Sequence, residues 1–269
     1  MTKPTQTAVN NETSASIKSH PVAIITGGAG GIGHACAIAF AANGITPVIV
    51  DINREIGEQI AAELKGLYVQ ADLCDSQDCV ALIDTVINHY GRIDMLINNA
   101  GMQTVAPIEK FPEERWDTMM ALMLRAPFLL TKYVWPHMKK QPMGRIVNIG
   151  SIHSLVASNY KSAYITAKHG LIGLTKAAAL EGAEHGITVN AVCPGYVRTP
   201  LVEGQLADQA KNLGISEDEV LNNVMLKPAA IKRLIEPSEV AEMVRYLCSK
   251  EAGAVTGAVW SMDLGWTAQ

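Results

Sequence analysis

The sequence predicts one doubly wound α/β domain, with a mostly parallel sheet of seven strands and helices packed on both of its faces. Short runs of β-branched residues alternate along the chain with segments of ten or more residues that carry apolar side chains at helical spacing. Strands joined by such helices form right-handed crossovers, which place helices on both faces of a parallel sheet. No repeat, linker or change in composition divides residues 21–269, so a single domain accounts for them.

The predicted elements follow one another in a regular order. Seven strands are predicted, at residues 22–26, 47–51, 67–70, 93–98, 145–149, 188–193 and 259–262. The helical segments are residues 32–42, 54–64, 76–90, 113–138, 163–185 and 238–249. Residues 200–230 break this alternation after the sixth strand, and we predict that they form a mostly helical lid over a ligand.

Two stretches near the start of the chain need separate interpretations. Residues 1–20 are rich in Thr, Ser and Asn and nearly free of apolar side chains, which predicts a flexible tail and not a secretory signal. Residues 22–50 contain no Asp, Glu, Lys or Arg, yet the five glycines between Gly27 and Gly33, and then Asn43, Gly44 and Pro47, interrupt them. They therefore predict a strand, a turn, a helix and a second strand, and no membrane span.

The composition excludes several classes of protein. The chain has 269 residues, of which 48% are hydrophobic and 18% charged, so it can bury a large core and is not disordered. Its formal net charge of −4 lacks the basic excess typical of nucleic-acid-binding proteins. The five cysteines are scattered without the spacing of a zinc site. We expect reduced thiols, no metal and a cytoplasmic location.

A glycine-rich turn is the first sign of a cofactor. Five glycines lie between Gly27 and Gly33, directly after the first strand and at the start of an Ala-rich helix. Glycines allow a sharp turn and a close approach to a pyrophosphate, whose charge the free N–H groups of the helix stabilise. A tight turn with a purely structural role is the alternative interpretation.

Polar residues after the next strands extend this signal. Asp51 ends the second strand, where a carboxylate can accept hydrogen bonds from a ribose and repel a 2′-phosphate, which favours NAD over NADP. Asp72 follows the third strand, and Asn98-Asn99-Ala100-Gly101 follows the fourth. Each alone is an ordinary turn residue. Together they place polar groups along one edge of the sheet.

The candidate catalytic residues are Tyr164 and Lys168, with Ser151 at the end of the fifth strand. The i, i+4 spacing of Tyr164 and Lys168 places the phenol and the ammonium on one helix face. A neighbouring ammonium stabilises a phenolate and so lowers the pKa of the tyrosine. An ordinary pair of helix residues is the alternative, because Tyr-x-x-x-Lys is common by chance.

In order and spacing, these motifs together with Pro194-Gly195 resemble the short-chain dehydrogenase/reductase family over residues 20–269. The resemblance implies a Rossmann fold, a nicotinamide cofactor and a homotetramer. It implies that Tyr164 is the general acid/base, that Ser151 orients the carbonyl, and that Lys168 holds the ribose and lowers the Tyr164 pKa. The cofactor-binding positions it implies are Gly27, Gly31, Ile32, Gly33, Asp51, Asp72, Leu73, Asn99, Gly101, Tyr164, Lys168, Pro194, Val197 and Thr199.

Within that family, the second half of the sequence resembles the bacterial D-3-hydroxybutyrate dehydrogenases. The resemblance implies that four side chains grip a substrate carboxylate and that two aromatic residues belong to the substrate pocket. Each of these residues, taken alone, is an ordinary loop or surface residue. A cation and several neutral hydrogen-bond donors placed around one anion, in contrast, bind it strongly. The four are Gln103, His153, Lys161 and Gln205, and the aromatic residues are Tyr196 and Trp266.

Two residues depart from the family pattern. Met123 stands where the family has a catalytic Asn, and Tyr196 stands where its pocket has a Trp. The leading hypothesis is NAD-dependent interconversion of (R)-3-hydroxybutyrate and acetoacetate. One alternative is a reductase of 3-oxoacyl thioesters or of another small hydroxy acid. The other, motivated by Met123, is a weakly active NAD-binding relative with an assembly or regulatory role.

Overall fold

The computed structural model describes residues 20–268, except for the side chains of Asp208, Asn212 and Leu213. The tail predicted at residues 1–20 therefore lies outside the described residues except for its last position. Within the described part, seven strands form one parallel sheet in the order β3-β2-β1-β4-β5-β6-β7. They are β1 (Val22–Thr26), β2 (Thr46–Asp51), β3 (Leu67–Gln70), β4 (Met95–Asn98), β5 (Gly144–Ile149), β6 (Ile187–Pro194) and β7 (Val259–Met262).

Helices connect these strands. They are α1 (Gly31–Ala42), α2 (Arg54–Glu63), α3 (Ser76–Tyr90), α4 (Glu113–Met120), α5 (Ala126–Met138), α6 (Ser162–Gly182), α7 (Pro200–Leu213), α8 (Glu217–Val220) and α9 (Pro237–Cys248). In the described part of the chain, none of them combines the length and the apolar run that crossing a bilayer requires.

The sheet is buried on both faces, and the alternation of side chains along β1 shows how. Val22 and Ile24 belong to the core under α3, α5 and α6, while Ala23 and Ile25 belong to the core under α1, α2 and α9. Successive side chains of a strand point to opposite faces, so an uninterrupted apolar strand serves two cores at once. The predicted doubly wound architecture is confirmed.

The segment predicted as a single helix over residues 113–138 departs from a regular α-helix at its middle. A π-helical turn, Ala121–Arg125, separates α4 from α5, and it carries the fully buried Met123. One widened turn shifts the helical register of every residue that follows it, and a hydrophobic period cannot reveal so local an insertion. The other predicted segments match the observed ones closely at both ends.

The inserted segment after β6 is helical, as predicted. It consists of α7, α8 and a second π-helical turn, Leu221–Met225. Its two ends are held together at its base, where Val197 pairs with Ile235 and Arg198 forms an ion pair with Glu236 at 3.0 Å. The insertion therefore begins and ends at the same place, and it lies over the carboxyl edge of the sheet.

Candidate active site

A cavity of about 330 Å³ runs along the carboxyl edge of the sheet, where the strand order reverses between β1 and β4. Ligands of open α/β sheets bind at such a reversal. Twelve of the residues predicted to bind the cofactor or to catalyse line it: Gly27, Gly31, Ile32, Asp51, Asn99, Gly101, Ser151, Tyr164, Lys168, Pro194, Val197 and Thr199. The lining also includes Leu201 and Val202, which sequence reasoning did not single out.

A second cavity of about 500 Å³ adjoins the first at Asp51 and Gly27. Asp72 and Leu73, both predicted to bind the cofactor, line it. Asp72 is itself held in place, because its Oδ1 accepts a hydrogen bond from the Cys74 N–H at 2.9 Å. The two cavities together form one elongated trough with the glycine turn at its centre.

The glycine turn is fixed from below by Asn99. The Asn99 Nδ2 donates to the backbone oxygens of Thr26 at 2.9 Å and Gly27 at 3.2 Å. Gly27 has φ +63°, which favours glycine. Gly33 does not line the cavity. A Cβ at this position would lie 2.2 Å from the Gly27 oxygen, so the absence of a side chain allows the first turn of α1 to pack against the glycine turn.

The start of α1 offers free donors to an anion. Gly30 is the N-cap, no side chain caps the helix, and its first turn holds no acidic residue. The first N–H groups of a helix lack intrahelical partners and carry the positive end of its dipole. These uncapped groups face the cavity beside Gly30 and Gly31 and fit the pyrophosphate of a dinucleotide.

Asp51 links the two cavities and stiffens the turn. Its Oδ2 accepts from the Ala29 N–H at 3.1 Å, and its Oδ1 accepts from the Asn53 N–H at 3.0 Å. The nearest basic residue in sequence, Arg54, is exposed and pairs with Glu58 at 2.8 Å. The trough is therefore acidic at Asp51, where the sequence predicts contact with a ribose, and Arg54 forms an ion pair with Glu58.

Ser151, Tyr164 and Lys168 meet where β5 ends and α6 begins. Ser151 Oγ accepts a hydrogen bond from the His153 N–H at 3.2 Å and is hydrogen-bonded to the Tyr164 side chain. Lys168 lies one turn after Tyr164, with its Nζ 5.7 Å from the centre of the phenol ring. The structure thus brings the three predicted catalytic residues together.

The electrostatics differ from the expectation that Lys168 lowers the pKa of Tyr164. Burial raises the pKa of Tyr164, and the hydrogen bond from Ser151 offsets only part of that rise. The Lys168 ammonium instead donates to the Ile149 carbonyl at 2.6 Å. Burial also lowers the pKa of Lys168 from 10.5 to about 8. In the free chain, the ammonium is aimed at the main chain and not at the phenol oxygen.

A smaller pocket of about 60 Å³ opens beside Ser151 and Tyr164. Five of the six predicted substrate-binding residues line it: Gln103, His153, Lys161, Tyr196 and Gln205. The sixth, Trp266, is not part of the lining; its ring packs edge-on against the His153 ring, with 6.4 Å between the centres. Trp266 therefore stands behind the pocket wall. Leu201 and Val202 line both this pocket and the larger cavity.

Lys161 is the charged group of this pocket. It is 7% exposed, and among the side chains that the structure describes no carboxylate forms an ion pair with it. It occupies the N-cap position of α6, whose first turn holds no acidic residue. Its Nζ lies 3.4 Å from His153 Nε2 and 5.6 Å from the centre of the Tyr196 ring. Burial lowers the pKa of Lys161 from its ordinary value.

The amide of Gln103 is oriented to donate. Its Oε1 accepts a hydrogen bond from the Thr104 N–H at 3.0 Å, which leaves the NH₂ group available to a ligand. Gln205 reaches the same pocket from α7. The pocket therefore combines one ammonium with neutral amides beside a phenol that can exchange a proton. This set of groups suits a small organic anion with a hydroxyl or carbonyl next to Tyr164.

Comparison with known proteins agrees with this geometry. The family model described as short chain dehydrogenase matches residues 21–210. A D-beta-hydroxybutyrate dehydrogenase of Rhizobium meliloti (strain 1021) is 45% identical over 254 residues, covering 92% of this chain and 98% of that protein. An uncharacterized oxidoreductase, YxjF, of Bacillus subtilis (strain 168) is 46% identical over 253 residues with the same coverage. The crystal structure of levodione reductase superposes with a TM-score of 0.86 at 32% identity, covering 92% of this chain and 98% of that one.

We expect Lys168→Met to stabilise the cofactor-free protein at pH 7. With a pKa of about 8 in the folded chain against 10.5 ordinarily, Lys168 binds its proton more weakly when folded, and folded stability rises with pH between these values. Removing the buried charge should raise the free energy of unfolding at pH 7 by about 2 kcal/mol, net of one lost hydrogen bond. The gain should fade as the pH rises from 8 to 10.5.

Urea denaturation at pH 7 and at pH 10 measures this effect. Lys176→Met is the matched control, because Lys176 lies on the same helix and is exposed. A variant at Lys168 that is less stable than the parent at pH 7 contradicts the prediction.

Proposed function

Because this chain belongs to the short chain dehydrogenase family, we propose that it is an NAD-dependent dehydrogenase that interconverts (R)-3-hydroxybutyrate and acetoacetate. One observation carries the choice of substrate: Lys161 is a buried ammonium with no acidic partner among the described side chains, in the same pocket as Tyr164 and Ser151. The name of the Rhizobium meliloti relative supports the same substrate.

The argument for a carboxylate substrate is electrostatic. A buried charge is strongly destabilising unless an opposite charge and hydrogen bonds accompany it. At the N-cap of α6, the positive end of the helix dipole increases the penalty on the Lys161 ammonium. A substrate carboxylate supplies the missing charge and accepts further hydrogen bonds from Gln103 and Gln205. A pocket of about 60 Å³ suits a short acid.

The chain's own groups then act in sequence on the substrate. Lys161 and the amides fix the carboxylate, and Ser151 holds the hydroxyl oxygen against the Tyr164 phenol. Tyr164 takes the hydroxyl proton during oxidation and returns it during reduction. The residues that line the larger cavity would hold a nicotinamide dinucleotide, which would supply the hydride acceptor and, in its oxidised form, a positive charge that favours the Tyr164 phenolate.

We propose that α7 acts as the lid. Leu201 and Val202 separate the cofactor cavity from the substrate pocket, and Gln205 follows them on the same helix. Thr199, the N-cap of α7, contacts the glycine turn: a Cβ on Gly31 would lie 3.0 Å from its Cγ2. Closure of α7 would exclude water from the reacting atoms.

A cytoplasmic location suits the four buried, unpaired thiols and the half-buried Cys74.

A steady-state assay with NAD and (R)-3-hydroxybutyrate tests the proposal. We expect NADH formation that falls about 1,000-fold in Tyr164→Phe, with NAD affinity retained, because the Tyr164 phenolate is the proton acceptor. Lys161→Met should raise the KM for hydroxybutyrate about 100-fold, since it removes one partner of a buried charge pair. The KM for NAD should change by less than about 3-fold.

Lys176→Met again serves as the control, and it should leave both KM values unchanged. Equal increases in the two KM values contradict the assignment of Lys161. Turnover of 3-oxoacyl thioesters with NADPH would identify the reductase alternative. Tight NAD binding without turnover would identify a weakly active relative and would direct attention to Met123.

We propose NAD and not NADP as the cofactor, on the basis of Asp51. Its carboxylate faces the ribose end of the trough, and Arg54 is engaged by Glu58 and gives no cation for a 2′-phosphate. Asp51→Asn keeps one oxygen acceptor for the turn and removes the repelling charge. We expect kcat/KM with NADP to rise at least about 10-fold relative to NAD. Asp72→Asn is the control and should affect both cofactors alike; an unchanged preference in Asp51→Asn contradicts the proposal.

We propose that a second copy of this chain covers the groove between α4, α5 and α6, as part of a homotetramer. Met120, Leu124 and Leu174 line the groove, and Phe128 at its edge is 49% exposed. Asp117 and Arg125 lie two helical turns apart in its lining. A two-fold axis would bring each Asp117 to the partner's Arg125, so the face is complementary to itself.

Light scattering should therefore show an oligomer whose mass falls in Phe128→Glu, because a buried carboxylate at the interface is unfavourable. Val80→Glu on α3, at a partly exposed valine, should leave the mass unchanged. A parent protein that is monomeric, or a Phe128→Glu variant of the same mass as the parent, contradicts the proposed interface.

A further inference from the structure

Tyr68 on β3 reaches across to the end of β2. Its hydroxyl donates a hydrogen bond to the backbone carbonyl of Asp51 at 2.9 Å. The two strands are parallel with Asp51 opposite Gln70, so Tyr68 lies two residues before the partner of Asp51. The next carbonyl, that of Ile52, accepts a longer hydrogen bond from Gln70 Nε2 at 3.4 Å. Side chains of β3 therefore hold two consecutive carbonyls at the point where β2 ends.

The ring of Tyr68 packs against α2 at Gly57. A Cβ on Gly57 would lie 2.3 Å from Tyr68 Cε2 and 2.5 Å from Tyr68 Cδ2, so only a glycine leaves room for the ring in this position. Gly57 lies inside α2, where a glycine destabilises the helix relative to an alanine. The close approach of the ring accounts for a glycine at this position. The contact also fixes the direction in which the Tyr68 hydroxyl points.

The surroundings of the Tyr68 phenol keep its proton in place. Burial raises the pKa of Tyr68, and the carboxylates of Asp51 and Glu58 raise it further, against a smaller opposite effect of Arg54. A protonated phenol has one hydrogen to donate, and the Asp51 carbonyl receives it. The hydrogen bond is therefore retained at neutral and mildly alkaline pH.

Asp51 is thus held at its side chain and at its main chain. Its carboxylate accepts from the Ala29 N–H at 3.1 Å and from the Asn53 N–H at 3.0 Å, whereas Tyr68 holds the main chain from which that carboxylate projects. A group that must meet one atom of a ligand loses much of its effect when it is displaced by about 1 Å. Both constraints are therefore needed to place the carboxylate in the trough.

We propose that Tyr68 is a positioning residue for cofactor selection, which holds the Asp51 main chain so that its carboxylate meets the adenosine ribose of NAD and repels the 2′-phosphate of NADP. Tyr68 lines neither cavity of the trough, so its effect is exerted through Asp51. The part of this inference that concerns selection rests on the NAD preference proposed above. The hydrogen bond between Tyr68 and Asp51 does not depend on it.

Tyr68→Phe removes the hydroxyl and keeps the ring against Gly57, so the fold should be retained. We expect the Kd for NAD to rise about 3- to 10-fold, the effect of one lost hydrogen bond. The Kd for NADP should change by less than about 2-fold, because NADP gains nothing from the Asp51 carboxylate. Titration calorimetry without substrate measures both. With NAD at saturation, kcat and the KM for (R)-3-hydroxybutyrate should stay within about 2-fold of the parent's values.

The Asp51→Asn background tests whether Tyr68 acts through Asp51. The selecting charge is absent from that variant, so adding Tyr68→Phe should change the ratio of the two Kd values by less than about 2-fold. Tyr246→Phe, at a partly exposed tyrosine of α9, is the matched control and should leave both Kd values unchanged. Effects of Tyr68→Phe and Asp51→Asn on this ratio that simply add, or a Tyr68→Phe variant that binds NAD and NADP equally less tightly than the parent, overturn the proposal.

A measurement on the cofactor-free protein tests the hydrogen bond by itself. Amide hydrogen exchange followed by NMR reports on the Ala29 and Asn53 N–H groups, which donate to the Asp51 carboxylate. We expect both groups to exchange about 3- to 10-fold faster in Tyr68→Phe than in the parent, and at the parent's rate in Tyr246→Phe. Unchanged exchange at both groups in Tyr68→Phe overturns the proposal, whichever cofactor the chain prefers.

The binding data separate this inference from the proposed function. A parent chain that binds NADP as tightly as NAD overturns the preference assigned to Asp51, and the selecting role of Tyr68 with it. A parent chain that prefers NAD, together with a Tyr68→Phe variant that keeps the whole preference, overturns the role of Tyr68 alone.

Discussion

The reversal of strand order between β1 and β4 is the constraint on which the rest of this structure depends. All seven strands are parallel, so their carboxyl ends share one edge, and the crossovers leave that edge open only where the order reverses. The glycine turn, Asn99 and Ser151 follow strand ends at that edge, and Asp51 is the last residue of β2. Residues far apart in sequence therefore meet in one trough, and long-range hydrogen bonds such as that from Asn99 Nδ2 to the Thr26 carbonyl hold them there.

The site contains two buried lysines, and their ammonium groups have different partners. The Lys168 ammonium donates to a backbone oxygen, whereas the Lys161 ammonium faces a pocket in which the His153 imidazole and the Tyr196 ring are its neighbours. Both ammonium groups lie where the charged form is disfavoured, because burial lowers the pKa of each. An anion bound beside Lys161, as we propose, would compensate part of this cost.

Met123 marks the clearest departure from the family pattern. It lies in the π-helical turn between α4 and α5 and packs with Met119, Ala163 and Ala167 behind the catalytic helix. A thioether there supports α6 by packing and offers no amide to a proton relay. In this chain, backbone carbonyls such as that of Ile149, which accepts from Lys168, are the polar groups left to support the ammonium.

The sequence by itself determined the order of strands and helices along the chain, the glycine turn, and the placement of Tyr164 and Lys168 on one helix face. These features follow from hydrophobic period, glycine content and the helical repeat, all of which act over a few residues. The tertiary structure alone decided that Lys168 turns to the main chain, that burial raises the pKa of Tyr164, and that Trp266 stands behind His153. It alone decided that Lys161 is buried and forms no ion pair with a carboxylate among the described side chains. Burial and charge compensation depend on residues from distant parts of the chain. A local sequence pattern does not predict which of these residues pack against a given side chain.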